Sequence, residues 1–258
     1  MEGICYLTGA GPGDPELLTM KAHRCITQAD VLVYDALVNR EILTFVKEGC
    51  EMVDVGKRAR CHTMKQEEIN QLLVDRTREG KIVVRLKGGD PMIFGRAGEE
   101  AAELVKNGLK YEIIPGISSA FAGPVSAGIP LTHRNHGALL TIFSGHEGAK
   151  DPTGETALDY ELLARSQGTK IFLMGVSSLR KISDKLITSG ADLDTPIAMV
   201  RWATTPHQET IRGTLATIAD IAEAQDFKSP AVGIIGSIVN EMDNLSLGDT
   251  AQQFQTNT

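Results

Sequence analysis

Short apolar runs and amphipathic runs alternate along this chain, and that alternation restricts it to an α/β fold built on largely parallel strands. Residues 4–8, 31–34 and 52–55 read as strands, with helical periodicity at 16–28 and 39–46 between them. Thr63 and Gln66 stand at capping-box spacing, and Ile69, Leu72 and Leu73 give the following helix an apolar face. A strand at 81–86, a helix at 98–107 stopped by Gly108, and a strand at 111–114 stopped by Pro115 complete a first α/β domain, residues 1–115. The pattern restarts after Pro115-Gly116. A helix of small residues at 118–127 precedes strands at 139–143, 170–174, 197–200 and 231–235, with helices between them. The run 207–212 alternates like an edge strand, so the second sheet is expected to be mixed. This second α/β domain spans 116–242; residues 148–155 read as a polar loop and 243–258 as a flexible tail.

Composition excludes several function classes. A hydrophobic share of 42% with 23% charged residues describes a soluble globular chain, and a net charge of -7 argues against a general nucleic-acid partner. No apolar stretch approaches ~20 residues, and no basic segment precedes an apolar run at the N-terminus, so neither a membrane span nor a secretory leader is expected. Cys5, Cys25, Cys50 and Cys61 show no CxxC spacing and read as reduced thiols of a cytoplasmic protein. His133 and His136 are spaced as a metal pair could be, but no carboxylate or third imidazole lies at ligand spacing beside them, so no metal is expected.

The richest stretch is VVRLKGGDPMIFGRAGE at 83–99. It ends a buried strand in Gly88-Gly89, which lets backbone approach a ligand, and then presents Asp90, Phe94 and Arg96. The loop after the first strand, TGAGPGD at 8–14, resembles a dinucleotide fingerprint but has Asp14 where the third glycine belongs. Pro12 removes a backbone donor and Asp14 would repel a pyrophosphate, so a ligand without phosphate fits better. Asp35 closes the second strand where a Rossmann protein would hold a ribose, which keeps a dinucleotide enzyme as the alternative from residues alone.

Together, TGAGPGDPELLT at 8–19, ADVLVYDALV at 29–38, VGKRA at 55–59, VVRLKGGDPMIFGR at 83–96 and IPGISSAFAGPVSAGIPLTHR at 114–134 resemble the tetrapyrrole methylases. Within that family the GGDP, FGR and GIPLTHR runs resemble the uroporphyrinogen-III C-methyltransferase branch, and weaker matches extend the likeness to about residue 240. The resemblance implies two α/β domains with the active site in the cleft between them. It implies transfer of methyl groups from two S-adenosylmethionine molecules to carbons 2 and 7 of uroporphyrinogen III, giving precorrin-2 and S-adenosylhomocysteine. The product would serve sirohaem, cobalamin or haem d1 biosynthesis. A homodimer without a catalytic metal is implied too. Another tetrapyrrole methylase and a non-catalytic porphyrin-binding protein are the other readings. A fused dehydrogenase and chelatase module is not seen, which reads as a methyltransferase alone.

Carried over by position, Pro12, Gly88, Gly89, Asp90, Ile93, Ser118, Ser119, Met174 and Ala203 correspond to contacts with S-adenosylmethionine. Asp35 corresponds to a proton acceptor and Lys57 to a proton donor. The substrate's eight carboxylates call for cations that the net charge hides. Lys57, Arg58, Arg60 and Lys65 form one basic stretch, and Arg85, Lys87 and Arg96 form another. Arg58, Arg60, Arg96 and Arg134 are assigned to the substrate because guanidinium suits bidentate carboxylate binding. Leu173 and Val125 stand where the branch has aromatics, and Ala203 where it has glycine.

Overall fold

The computed structural model describes residues 2–56, 64–146 and 158–245. The chain divides into two compact units after Ser119.

The first unit holds β1 (Ile4–Gly9), α1 (Met20–Gln28), β2 (Val31–Tyr34), β3 (Glu51–Asp54), α2 (Gln66–Arg78), β4 (Ile82–Lys87), α3 (Ala97–Lys106) and β5 (Lys110–Ile114). Its five strands are all parallel and run in the order β3-β2-β4-β1-β5. β4 is central and covered on both faces, as its continuous apolar run requires. Val83 faces a core completed by α2 and α3, and Val84 and Leu86 face a core completed by α1.

The helix expected at 16–28 is broken in two. Asp14 accepts from the Glu16 N–H at 2.8 Å and caps a short 3₁₀ turn at Pro15–Leu17; Thr19 then caps α1 through the Ala22 N–H at 3.1 Å. The helix expected at 39–46 contracts to a 3₁₀ turn at Ile42–Phe45. Thr63 lies outside the described residues; the first turn of α2 is closed instead by Glu68, whose Oε2 accepts from the Lys65 N–H at 2.6 Å.

The second unit holds α4 (Ser119–Ser126), which begins at the division, then β6 (Leu140–Ser144), α5 (Tyr160–Arg165), β7 (Thr169–Leu173), α6 (Leu179–Thr188), β8 (Pro196–Arg201), β9 (Glu209–Thr214), α7 (Ile218–Ala224), β10 (Ala231–Ile235) and α8 (Met242–Leu245). The strand order is β6-β7-β10-β8-β9, with β6 parallel to β7 and every other pair antiparallel. The sheet is mixed, and the alternating run near residue 210 is its edge strand. Phe172 packs its ring over Gly233 of the neighbouring strand, where an added Cβ would sit 2.1 Å from the ring. Burying that ring contributes on the order of 2–3 kcal/mol.

Cys5 and Cys25 are buried free thiols, and Cys50 is a free, partly exposed one. Burial raises all three above the usual thiol range. Among the described residues no helix is long and apolar enough to cross a membrane. The fold brings a carboxylate, Glu241, to His133 and His136 from more than a hundred residues along the chain.

Candidate active site

β1 and β4 lie side by side, yet their connections leave over opposite faces: α1 carries the chain from β1 to β2, and α3 carries it from β4 to β5. Such a divergence opens a crevice at the carboxyl ends of the two strands. The loops there are tied together. Gly11 and Gly89 exchange backbone hydrogen bonds at 3.2 and 2.7 Å. A Cβ on Gly9 would fall 2.6 Å from both Gly116 Cα and Gly89 O, and one on Gly116 would fall 2.3 Å from Gly89 O. Three loops therefore meet backbone to backbone, which only glycine permits, and Gly89 also has a φ of 68°. Gly88 differs from these. A Cβ there would meet only the side chain and backbone of Leu37, the nearest atom 3.3 Å away, so the contacts inside the fold do not demand glycine.

Asp90 braces the same loops. Its Oδ1 accepts from the Met92 N–H at 2.8 Å and its Oδ2 from the Gly116 N–H at 3.1 Å. A carboxylate offers about four acceptor positions, so capacity for a ligand donor remains. Ser118 is buried and Ser119 half-buried, and both lie against Gly89. Pro12 follows the bridged Gly11, while Ile93 and Phe94 stay exposed on the loop after β4. Seven of the positions assigned to the cofactor are thus gathered at one sheet edge: Pro12, Gly88, Gly89, Asp90, Ile93, Ser118 and Ser119.

Behind that edge lies a buried group of charges. Arg85 and Lys87 alternate onto the α3 side of β4, where both meet Glu100: Arg85 Nε donates to Glu100 Oε1 at 3.0 Å and Lys87 Nζ to the same oxygen at 2.9 Å. Arg85 Nη2 donates to Asp35 Oδ1 at 2.6 Å, and Lys87 Nζ stands 3.9 Å from Asp35 Oδ2. Asp35 keeps 31% of its side chain exposed, whereas the other three are almost wholly buried. Burial and then the Arg85 charge push the Lys87 ammonium below its ordinary range, with Glu100 and Asp35 opposing. Burial also disfavours the Arg85 cation, but Asp35 and Glu100 more than offset it. Glu100 Oε2 has no hydrogen-bond partner among the described residues.

The expectation that Arg85 and Lys87 add to a basic surface for the substrate is therefore corrected: both are buried and committed to carboxylates. Glu100 was not singled out at all. It sits on α3 beside Ala97, Ala101 and Leu104, a buried acid within an apolar stripe. That misplacement was its only signal in the sequence.

Arg96 adopts a φ of 60°, and its exposed guanidinium grips Glu99 with two bonds of 2.7 Å. That pairing holds the Glu99 carboxyl below the ordinary range. Any carboxylate ligand of Arg96 must compete with Glu99. Lys57, Arg58 and Arg60 lie outside the described residues.

In the second unit, β6, β7 and β8 all point the same way, so the residues that follow them share one end of that sheet. Met174, half exposed with a φ of 58°, follows β7; Trp202, φ 48°, and buried Ala203 follow β8. Ala203 is accommodated where glycine was expected, its Cβ 3.7 Å from the Cβ position of Gly123 on α4. Thr204, φ 67°, donates its N–H to Gln208 Oε1 at 2.8 Å, and Gln208 Nε2 donates to the Ser126 carbonyl at 3.1 Å, which pins this loop to α4. Arg134 and Val125 are exposed and Leu173 is half-buried. Of the six non-glycine residues with positive φ among those described, five, namely Phe94, Arg96, Met174, Trp202 and Thr204, follow β4, β7 or β8. Strain of this kind concentrates at functional sites. Nothing in residue type alone announces it for Trp202.

Comparison with known proteins supplies the rest. Residues 5–219 match the model of the tetrapyrrole (corrin/porphyrin) methylases. The chain is 47% identical over 253 residues to an S-adenosyl-L-methionine-dependent uroporphyrinogen III methyltransferase of Methanosarcina barkeri, covering 98% of each chain. It is 45% identical to a uroporphyrinogen-III C-methyltransferase of Priestia megaterium, covering 92% of this chain and 99% of the relative. Among solved structures, the uroporphyrin-III C-methyl transferase of Thermus thermophilus complexed with S-adenyl homocysteine superposes with a TM-score of 0.77 at 39% identity, covering 92% of this chain and 99% of that one. With its glycine-tied strand ends, its two α/β units and this end-to-end likeness, the chain belongs to the tetrapyrrole methylases.

Proposed function

We propose that the protein methylates uroporphyrinogen III at carbons 2 and 7, consuming two S-adenosylmethionine molecules and giving precorrin-2 and S-adenosylhomocysteine. The observation that carries this reading is the likeness, over 98% of both chains, to a relative bearing that activity in its name. The glycine-lined crevice agrees with it, since close backbone approach suits a ligand with an amino-acid part and a nucleoside. When bound, S-adenosylmethionine supplies a methyl group already activated by its sulfonium.

The chain's residues then have to hold, orient and handle protons. Pro12, Gly88, Gly89, Asp90, Ile93, Ser118 and Ser119, with Met174 and Ala203 of the second unit, hold the cofactor. Each transfer exchanges the sulfonium's methyl group for one net proton: Asp35 accepts the proton lost as a pyrrole carbon gains its methyl group, and Lys57 acts as proton donor in tautomerisation of the ring system, where a second proton leaves for the one it returns. Arg85 keeps the Asp35 carboxylate aimed by its 2.6 Å bond. Arg58, Arg60, Arg96 and Arg134 take the substrate's carboxylates. The protein acts as a cytoplasmic homodimer, and the end product is sirohaem, cobalamin or haem d1.

The test is turnover with anaerobic uroporphyrinogen III and excess deuterated methyl donor, followed by mass spectrometry against time. The expected product is heavier by two labelled methyl groups, with a singly methylated species passing through. No methylation of intact substrate, with cofactor binding confirmed, would move the protein elsewhere among the methylases. A stable one-methyl product would point to Val125, Leu173 or Ala203 as obstructing the second round.

A further inference from the structure

We infer that His133, His136 and Glu241 form a site for a borderline first-row divalent cation such as Zn²⁺, which clamps the segment before β6 to the segment after β10. One ligand atom from each side chain lies within 4.8 Å of the other two, and all three residues are partly buried. Imidazole and carboxylate together are a donor set for zinc and its first-row neighbours rather than for magnesium or calcium. A tetrahedral zinc with bonds near 2.0–2.1 Å needs ligand atoms roughly 3.4 Å apart. His136 Nε2 and Glu241 Oε1, now 2.7 Å apart, have to open slightly, and the wider separations to close by no more than about 1.4 Å. Side-chain rotation supplies both.

The outer contacts fit a ligand role. His136 Nδ1 lies 2.8 Å from Ser237 Oγ, so with Nε2 on the metal its Nδ1–H has an acceptor already in place. Glu241 Oε2 accepts from Asn244 Nδ2 at 3.1 Å, which orients the carboxylate. His133 Nδ1 accepts from the Asn135 N–H at 3.3 Å, a long bond that coordination can displace, and its ring is tilted 47° to that of His136 with centroids 5.2 Å apart. A cavity of about 420 Å³ borders the site on its His136 and Ser237 side, although neither His133 nor Glu241 lines it.

The position sets this site apart from methyl transfer. Leu140 pairs with Thr169, and Ile235 pairs with Lys170, so the segments before β6 and after β10 meet at the start of β7. Met174 follows the other end of that strand, some five residues or roughly 17 Å away. The cation is thus a fastener within the second unit. Its ligands come from opposite ends of that unit's sequence, so coordination closes a long loop.

Tag-free protein, stripped with EDTA and freed of chelator, is titrated with Zn²⁺ by calorimetry and with Co²⁺ by visible spectroscopy. We expect one equivalent to bind with a Kd of about 10 µM or tighter. Cobalt bands of low-symmetry four- or five-coordination should appear, and the melting temperature should rise on loading. Glu241→Gln and His136→Ala should each weaken binding at least ~10-fold, whereas His207→Ala, an exposed histidine elsewhere, leaves it unchanged. S-adenosylhomocysteine affinity in the variants checks that they are folded and should not move. No saturable binding below about 1 mM overturns the site. Equal affinity in Glu241→Gln and His136→Ala also overturns it, since the ion then binds elsewhere, for instance at a thiol.

Discussion

In the first unit the strand ends are backed by three buried ionisable side chains, Arg85, Lys87 and Glu100, and by loops that touch glycine to glycine. In the second unit the corresponding ends carry Met174 and Trp202, large, half exposed and held on left-handed backbone. One edge is organised by charge and the other by strain. With Asp35 counted, the first edge pairs two cations with two carboxylates, a neutral set in which each member depends on the others. The second edge spends on the order of 1–2 kcal/mol per strained residue to place side chains where relaxed backbone would not. Under the proposed function the difference would correspond to a division of labour, with proton handling in the first unit and shape in the second.

The strongest way to break this contrast is Glu100→Ala. Removing the shared carboxylate leaves Arg85 and Lys87 buried with only Asp35 between them, which should cost about 3–5 kcal/mol in urea unfolding. Glu100→Gln should cost less, because the amide oxygen can still accept from the donors that now share Oε1, namely Arg85, Lys87 and Gln66. A loss below about 1 kcal/mol for Glu100→Ala would mean that water already reaches the group and that the edge is not organised by charge.

Gly88→Val probes the glycine loops next. The close approaches inside the fold involve Gly9, Gly89 and Gly116, whereas a Cβ on Gly88 meets only exposed Leu37. The melt should therefore stay near that of the parent while S-adenosylhomocysteine affinity drops at least ~10-fold by calorimetry. Intact affinity would take Gly88 out of the site. Gly89→Ala should instead lower stability by roughly 1 kcal/mol, since alanine resists its positive φ.

Met174→Gly is the smallest and the most particular to the second unit. Glycine relieves the left-handed strain, so the melting temperature should hold or rise slightly, while cofactor affinity falls several-fold. Stability and affinity moving down together would show that Met174 is a packing residue rather than a strained contact.

These regions also differ in how much of them residue order reveals. Strands and long helices were legible because apolar periodicity reports burial directly, and β1, β2 and β10 fall within a residue of where the pattern puts them. The short helices were not. At 16–28 and 39–46 the periodicity continues through turns that Asp14, Thr19 and Asn39 redirect by local side-chain bonds. The glycine loop and Asp35 stood out because glycine and carboxylate at a strand end are chemically conspicuous. Glu100 and Glu241 did not, since their partners lie thirteen or more residues away along the chain and only the fold brings them together. Arg85 and Lys87 looked like surface cations for the same reason, and positive φ at Trp202 leaves no mark on its residue type.

The central claim, that the edge organised by charge handles the protons, rests on Asp35. Single-turnover methylation by Asp35→Asn, with saturating S-adenosylmethionine and calorimetric S-adenosylhomocysteine binding measured alongside, tests it most directly. The amide keeps the shape and can still face Arg85, but it cannot accept a proton. The expected result is cofactor affinity near that of the parent and a methyl-transfer rate lower by about 100-fold. Parent-like turnover would contradict it and reduce Asp35 to the counter-ion of a buried arginine.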